Sequence, residues 1–393
     1  MTVLPEVEGS GLPVLLTGRV AYVRTQANLQ VVDLASGEVL EVITPEHPAR
    51  TVNAAEYQQE FYALPPIDIA APVTAEIQGT PVVLAPFHVR IPGQGTIAPH
   101  EAIELLVVTV DEAQVIWRMV IDLPAWAEPN ARAAPTSTVR VVGTSGGMAV
   151  LTLSENNRIG PSKRSISFSV DLDSQKVVWE RDGFAGAAVS GDIVVGSLQE
   201  DEQSREHTLA GMSLSDGVEV WRDEDRHLSS LAVAAGPNWV VTAKNRRTIL
   251  GSQPGNELVL VQPATGDVVD LLPDAQLGPC LYDAEALIVC AAEEGSEGTA
   301  FALDAVTGEL LWKLPDADGT RIAPHVTSVW HGLVYGSTAD GEVVLEARTG
   351  QDVELDPGIA PYLVNEYVGI TVPEPSQNGG ATPRRPTVHR TIG

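Results

Sequence analysis

Cys280 and Cys290 are the only cysteines in the 393-residue chain, and they lie on either side of the stretch YDAEA. If that stretch turns about Glu285, the two thiols face each other across an antiparallel ladder, close enough to bridge. The expectation is a disulfide, which implies an extracytoplasmic compartment. The alternative is a pair of buried thiols packing as small hydrophobes. Other chemistry is thinner. PDADGT (315–320) sets Asp316 and Asp318 before Gly319, like the opening of a calcium loop, but no later Glu completes it. A polar turn is expected there, with calcium as the alternative. GTSGGM (143–148) lacks the lysine of a phosphate-binding loop. The eight histidines show no metal spacing, and His325 and His331 merely flank one apolar strand. No arrangement of Ser, His and Asp singles out a nucleophile. No catalytic, cofactor-binding or metal-ligating residue is assigned.

Repetition shows what must hold these residues. Aligned on a small turn residue, seven copies appear: VVDLASGEVLEV (31–42), VVTVDEAQVIWR (107–118), SVDLDSQKVVWE (169–180), AGMSLSDGVEVWR (210–222), VLVQPATGDVVD (259–270), FALDAVTGELLWK (301–313) and VLEARTGQDVEL (344–355). The turn falls at Gly37, Ala113, Gln175, Gly217, Gly266, Gly308 and Gly350, so the last four steps are 42, 49, 42 and 42 residues. A period of this length suits a four-stranded propeller blade. Each copy reads as two half-buried strands around a tight turn. Four positions after the turn stand Trp117, Trp179, Trp221 and Trp312; the other copies carry Glu41, Asp270 and Glu354 there. A large indole at one fixed place per repeat suits packing against a neighbouring blade. A second strand pair precedes each copy, as in LGPCLYDAEALIVCAA (277–292) and APHVTSVWHGLVYGST (323–338). Two pairs make one four-stranded antiparallel blade, and blades repeated radially leave few exposed edges.

FALDAVTGELLWK with TSVWHGLVYGST, and partly AGMSLSDGVEVW, SVDLDSQKVVWE and VVDLASGEVLEV, resembles the PQQ-like, or quinoprotein-like, β-propeller repeat. The resemblance spans roughly 12–372. It implies an all-β, eight-bladed propeller, with seven blades as the alternative. It speaks for fold and little for function. The family's dehydrogenases use pyrroloquinoline quinone with a calcium ion, a catalytic Asp and commonly a disulfide between adjacent cysteines. No adjacent cysteines stand here, and the calcium ligands and the Asp find no matching motif. The chain is therefore placed in the non-catalytic branch, without quinone, and with calcium only as the alternative.

Seven outer pairs meet eight inner pairs, because GIAPYLVNEYVGITV (358–372) is one more. The eighth blade needs outer strands from the N-terminus, where TVLPEVE offers one. Either that blade is thin or the natural chain has residues before Met1, such as a signal or anchor. One domain is expected over 1–372, with insertions at 43–71 and 122–138. AAEYQQEFYAL (54–64) could form a short helix. The tail 373–393 is poor in apolar residues and reads as disordered.

Composition narrows the role. The chain carries 52 acidic and 24 basic residues, a net charge of −28, with only four lysines. An acidic surface repels phosphate backbones and anionic lipid, so nucleic acid and membrane surfaces are not expected partners. No stretch approaches a membrane span, and MTVLPEVEGS lacks the regions of a signal peptide, which taken alone points to the cytoplasm. The blade register and the cysteines favour an extracytoplasmic, envelope-associated protein. The makeup, rich in Ala, Val and Arg, reads as bacterial. A monomeric, non-catalytic binding or scaffold protein is expected. Its candidate partner-binding residues are Trp126, Tyr57, Phe61 and Tyr62, in the insertions. The alternatives are a quinone- or calcium-dependent oxidoreductase and an extracytoplasmic ligand sensor.

Overall fold

The computed structural model describes residues 1–5, 14–51, 69–127, 137–155, 164–199, 206–225, 230–246, 255–273, 275–294, 297–355, 357–372 and 385–390. It is all-β, built of eight four-stranded antiparallel blades, so the seven-bladed alternative falls. β1 (Thr2–Val3) opens the chain. Blade one is β2 (Val14–Thr17), β3 (Val20–Arg24), β4 (Leu29–Asp33) and β5 (Val39–Ile43). Blade two is β6 (Val73–Ile77), β7 (Thr80–Ile91), β8 (His100–Thr109) and β9 (Val115–Asp122). Blade three is β10 (Ser137–Ser145), β11 (Met148–Glu155), β12 (Ser165–Asp171) and β13 (Lys176–Asp182). Blade four is β14 (Phe184–Ser190), β15 (Ile193–Leu198), β16 (Thr208–Ser213) and β17 (Glu219–Arg222). Blade five is β18 (Ser230–Ala235), β19 (Val240–Arg246), β20 (Gly255–Val261) and β21 (Val268–Pro273). Blade six is β22 (Ala275–Tyr282), β23 (Leu287–Glu294), β24 (Glu297–Asp304) and β25 (Leu310–Leu314). Blade seven is β26 (His325–Trp330), β27 (Leu333–Thr338), β28 (Gly341–Glu346) and β29 (Asp352–Leu355). Blade eight takes β30 (Leu363–Val364), β31 (Val368–Thr371) and β32 (Thr387–Arg390) together with β1.

The chain divides into two compact units where one is expected: Met1–Asp182 with Val372–Arg390, and Gly183–Thr371. The expected tail of 373–393 also differs from its composition. Thr387–Arg390 form a strand, with Thr2 opposite Val388 and Val3 opposite Thr387. Val388 and Leu4 are each 2% exposed, and that burial holds a stretch otherwise too polar to fold. The eighth blade is completed by this tail strand together with β1.

Within each unit the core lies between successive blades, because the inner strands are apolar on both faces. In blade two Val82, Leu84, Ile103 and Leu105 pack toward blade three, while Val83, Ala85, Phe87 and Leu106 pack toward blade one. In blade six Ile288 and Cys290 face blade five, and Leu287 and Val289 face blade seven. The two-residue period of a strand splits its side chains between the two interfaces.

The tryptophan position follows from a bulge. In the outer hairpin of six blades the register slips at one residue: Leu40, Ile116, Val178, Val220, Leu311 and Val353 each stand unpaired between two paired neighbours. The next residue is the one four after the turn, and the bulge re-aims it. Trp221 then lies over Gly266 of blade five, where a Cβ would come within 2.6 Å of the indole. Its Nε1 donates to the Pro263 carbonyl at 2.6 Å. Trp312 repeats this on Gly350 of blade seven, donating to the Ala347 carbonyl at 2.8 Å. Trp117 packs in the cluster that contains Leu172 and Val177 of blade three, and Trp179 is buried.

Two of the three blades lacking the tryptophan reach the same target with other residues. In blade five the bulge falls at Leu271, two residues late, and Asp270 takes the tryptophan's place. Trp239 of the β18–β19 turn lies instead over Gly308 of blade six, 2.7 Å from where a Cβ would stand. Beside it Asn238 donates through Nδ2 to the Val306 carbonyl at 3.1 Å. In blade one Tyr22 stands in for the residue missing at Glu41. Its hydroxyl donates to the Val110 carbonyl of blade two at 2.9 Å. Ahead of blade one, Thr2 donates to the Ala35 carbonyl at 2.9 Å while the Val3 carbonyl closes on Gly37.

Candidate functional site

The cysteines come first because their chemistry is explicit. Cys280 and Cys290 are register partners in the β22–β23 ladder and form a disulfide, with Cα atoms 4.0 Å apart. Both are buried against blade five. The bridge is structural in position, away from exposed surface.

Blade two departs most from the repeat. β7 and β8 run past their partners β6 and β9, so residues 86–91 lose β6 as a neighbour. A strap from the first insertion takes its place. Ala49 bridges Val89, the Arg50 amide donates to the His88 carbonyl at 2.8 Å, and the Arg90 amide donates to the Pro48 carbonyl at 2.9 Å. The backbone of the extension is thereby satisfied without a full strand.

Two carboxylates on β8 fasten the strap. The Glu101 side chain is fully buried. It accepts from Arg50 through Nε at 2.7 Å and through a second guanidinium nitrogen, and from Arg90 at 3.0 Å. His88 Nε2 stands 3.1 Å away. Burial alone would raise the Glu101 pKa, but the bonds from His88 and Arg50 and their charges outweigh it and lower it to about 2. Glu101 is thus an ionised acceptor with saturated oxygens, unfit as a general acid near neutral pH. Glu104 is equally buried and accepts the amides of Glu46 at 2.6 Å and His47 at 3.0 Å. His47 Nδ1 also meets it at 3.0 Å, and Arg118 donates to the Thr44 carbonyl at 3.0 Å.

The insertion's return is fastened to the same hairpin. Arg24 stacks 4.9 Å over the Phe87 ring and donates to the Ala70 carbonyl at 3.2 Å. Ile69 is buried. The segment before residues 52–68 is therefore held directly on β7 through Arg50, and the segment after them is held at Ala70 by Arg24 of β3, which itself rests on Phe87 of β7. The hairpin tip is a tight turn in which Gln94 and Ile97 exchange amide-to-carbonyl bonds of 3.1 and 3.0 Å. It presents Ile97 at 65% exposure.

Tyr57, Phe61, Tyr62 and the expected helix at 54–64 lie outside the described residues. Trp126, expected to be exposed, is half-buried. It sits in a short 3-10 turn, Ala125–Ala127, against the core shared by blades two and three. An amphipathic ring beside a ready apolar surface buries itself, whatever the polarity of its loop. Asp316 spends its carboxylate on its own turn, accepting the Thr320 and Arg321 amides at 2.7 and 3.0 Å and the Thr320 hydroxyl at 2.6 Å. Those bonds, the hydroxyl's first, hold its pKa below the ordinary value. Asp318 is not gathered with it around any centre. Among the described residues no group of three or more His, Cys, Asp or Glu could hold a metal ion.

Nothing in the turn spacing marks Glu101 or Glu104. The visible trace is HEAIELLVV (100–108), a strand otherwise apolar that carries two acids, and buried acids demand cations.

The chain matches no protein-family model and no curated protein. Solved structures resemble it. The computationally designed Ika8 protein aligns over 94% of this chain and 95% of its own, with a TM-score of 0.53 and 14% identity. The quinohemoprotein alcohol dehydrogenase ADHIIG from Pseudomonas putida HK5 aligns over 93% and 71%, at 0.47 and 12%. A europium-containing methanol dehydrogenase aligns over 90% and 80%, at 0.45 and 11%. At such identities the likeness is one of fold alone, and the two dehydrogenases, with scores below 0.5, carry no argument about activity.

Proposed function

We propose that this protein is a non-catalytic PQQ-like β-propeller scaffold of the bacterial cell envelope, and that blade two presents its insertion and hairpin tip to a protein partner. One observation carries the reading: the flanks of residues 52–68 are held beside a hairpin longer than its blade requires, one by the ion pair of Arg50 with buried Glu101 and the other by Arg24 of blade one, which stacks on Phe87 of that hairpin. Buried ion pairs add little net stability compared with apolar packing, so a hairpin built on them is explained better by what it positions. Aromatic residues such as Tyr57, Phe61 and Tyr62 suit the anchor role at an interface. The disulfide fits an oxidising, extracytoplasmic compartment.

The test is cross-linking of the full chain in its own envelope, followed by identification of the partner and of the linked residues. The reading expects a stoichiometric protein linked near 44–70 or 92–99, lost when Tyr57, Phe61 and Tyr62 are all replaced by Ser. A partner retained by that variant, or a purified chain carrying a quinone chromophore or stoichiometric calcium, overturns it.

A further inference from the structure

The turns of blades six and seven meet within the second unit. Asp283 caps its own turn by accepting the amides of Glu285, Ala286 and Leu287 within 3.0 Å. This leaves Glu285 projecting at 54% exposure. Tyr282 lies along the apolar core and donates its hydroxyl to the Glu285 carbonyl at 3.0 Å. From blade seven, His331 Nδ1 meets Glu285 Oε1 at 3.0 Å, and its ring stacks 4.2 Å from that of Trp330. His331 takes the left-handed conformation, with φ of 46°, which histidine tolerates better than most residues other than glycine. The outcome is one exposed carboxylate beside the paired rings of His331 and Trp330, on a turn braced from below by the Tyr282 hydroxyl.

We infer that this junction receives an arginine or lysine side chain from a basic peptide segment of a partner. The cation would lie on the aromatic faces while Glu285 takes its N–H donors, an arrangement in which each attraction reinforces the other. The His331 contact engages one carboxylate oxygen of Glu285, Oε1, and leaves the other for an incoming donor. The local field is negative: after burial, the charges of Asp283 and Glu285 raise the Tyr282 pKa. The whole chain, at −28, draws basic partners in the same sense. No equivalent arrangement stands at the β2–β3, β6–β7 or β10–β11 turns of the first unit, where Gly18 and Arg19, Gln78 and Gly79, and Gly146 and Gly147 take those places.

Because any acidic surface attracts polycations, the experiment separates a site from a diffuse field. Binding of a fluorescently labelled hexa-arginine peptide to the full chain is measured by anisotropy at physiological salt. Glu285→Gln and Trp330→Phe should each weaken binding about fivefold or more. Glu38→Gln, which removes one charge from an exposed turn of blade one, should change it less than about twofold. Equal losses in all three variants, or no binding by the unaltered chain, overturn the inference. If Trp330→Phe does not fold, Glu285→Gln against Glu38→Gln decides alone, since Glu285 supports no core.

Discussion

Glu101 and Glu285 are both carboxylates about 3 Å from a histidine, and they serve opposite ends. Glu101 lies in blade two without exposure, its oxygens taken by Arg50, Arg90 and His88. Glu285 lies at the turn of blade six, 54% exposed, among Tyr282, Trp330 and His331. Burial forces a carboxylate to saturate itself from its own chain, which makes it a fastener. Exposure leaves capacity, which makes it a receptor. One residue type thus signals structure in one unit and recognition in the other, and its surroundings decide which.

The sharpest way to break this contrast is one substitution made at both places. Glu101→Gln leaves Arg50 and Arg90 without their counter-charge and should cost on the order of 3–5 kcal/mol in chemical denaturation. Glu285→Gln should cost less than about 0.5 kcal/mol in the same experiment. Similar losses at both would end the distinction.

A second test sets charge fastening in blade two against apolar latching in blade five. Trp239→Ala removes the ring that covers Gly308 and should cost about 3 kcal/mol. Gly308→Ala, with φ of 76° and no room for a Cβ, should cost about 1–3 kcal/mol by thermal unfolding. The two losses should not add, because both break one contact.

The disulfide offers a smaller perturbation within the same unit. Replacing Cys280 and Cys290 together by Ala opens a loop with a separation of ten residues and should cost about 2–3 kcal/mol. Peptide binding at Glu285 should survive it.

The smallest effect is a shape in pH. The folded Glu101 pKa, about 2, lies below its ordinary 4.5, so the unfolded chain takes up the proton first as pH falls. Its stabilisation is fully present above about pH 4.5 and is lost between there and about pH 2. Glu101→Gln should flatten that limb of the stability curve.

The sequence by itself determined the blade. A recurring turn, spaced by 42 residues in three of its last four steps, strands alternating around it and tryptophans at one offset are local statements, and local hydrogen bonding and two-residue alternation carry them into sheets unchanged. The bridge between Cys280 and Cys290 belongs with these, because a hairpin's register follows from its own turn. Tertiary structure decided the exceptions. Trp239 and Tyr22 replace missing tryptophans from elsewhere in their blades, and only the three-dimensional arrangement shows that they reach the same targets. The tail strand at 387–390 depends on a partner more than 380 positions earlier, Thr2–Val3. Arg50 and Glu101, 51 positions apart, become one clamp only when the strap crosses the hairpin. Burial is a property of the assembled fold, and burial is what turned one glutamate into a fastener and left the other free to bind.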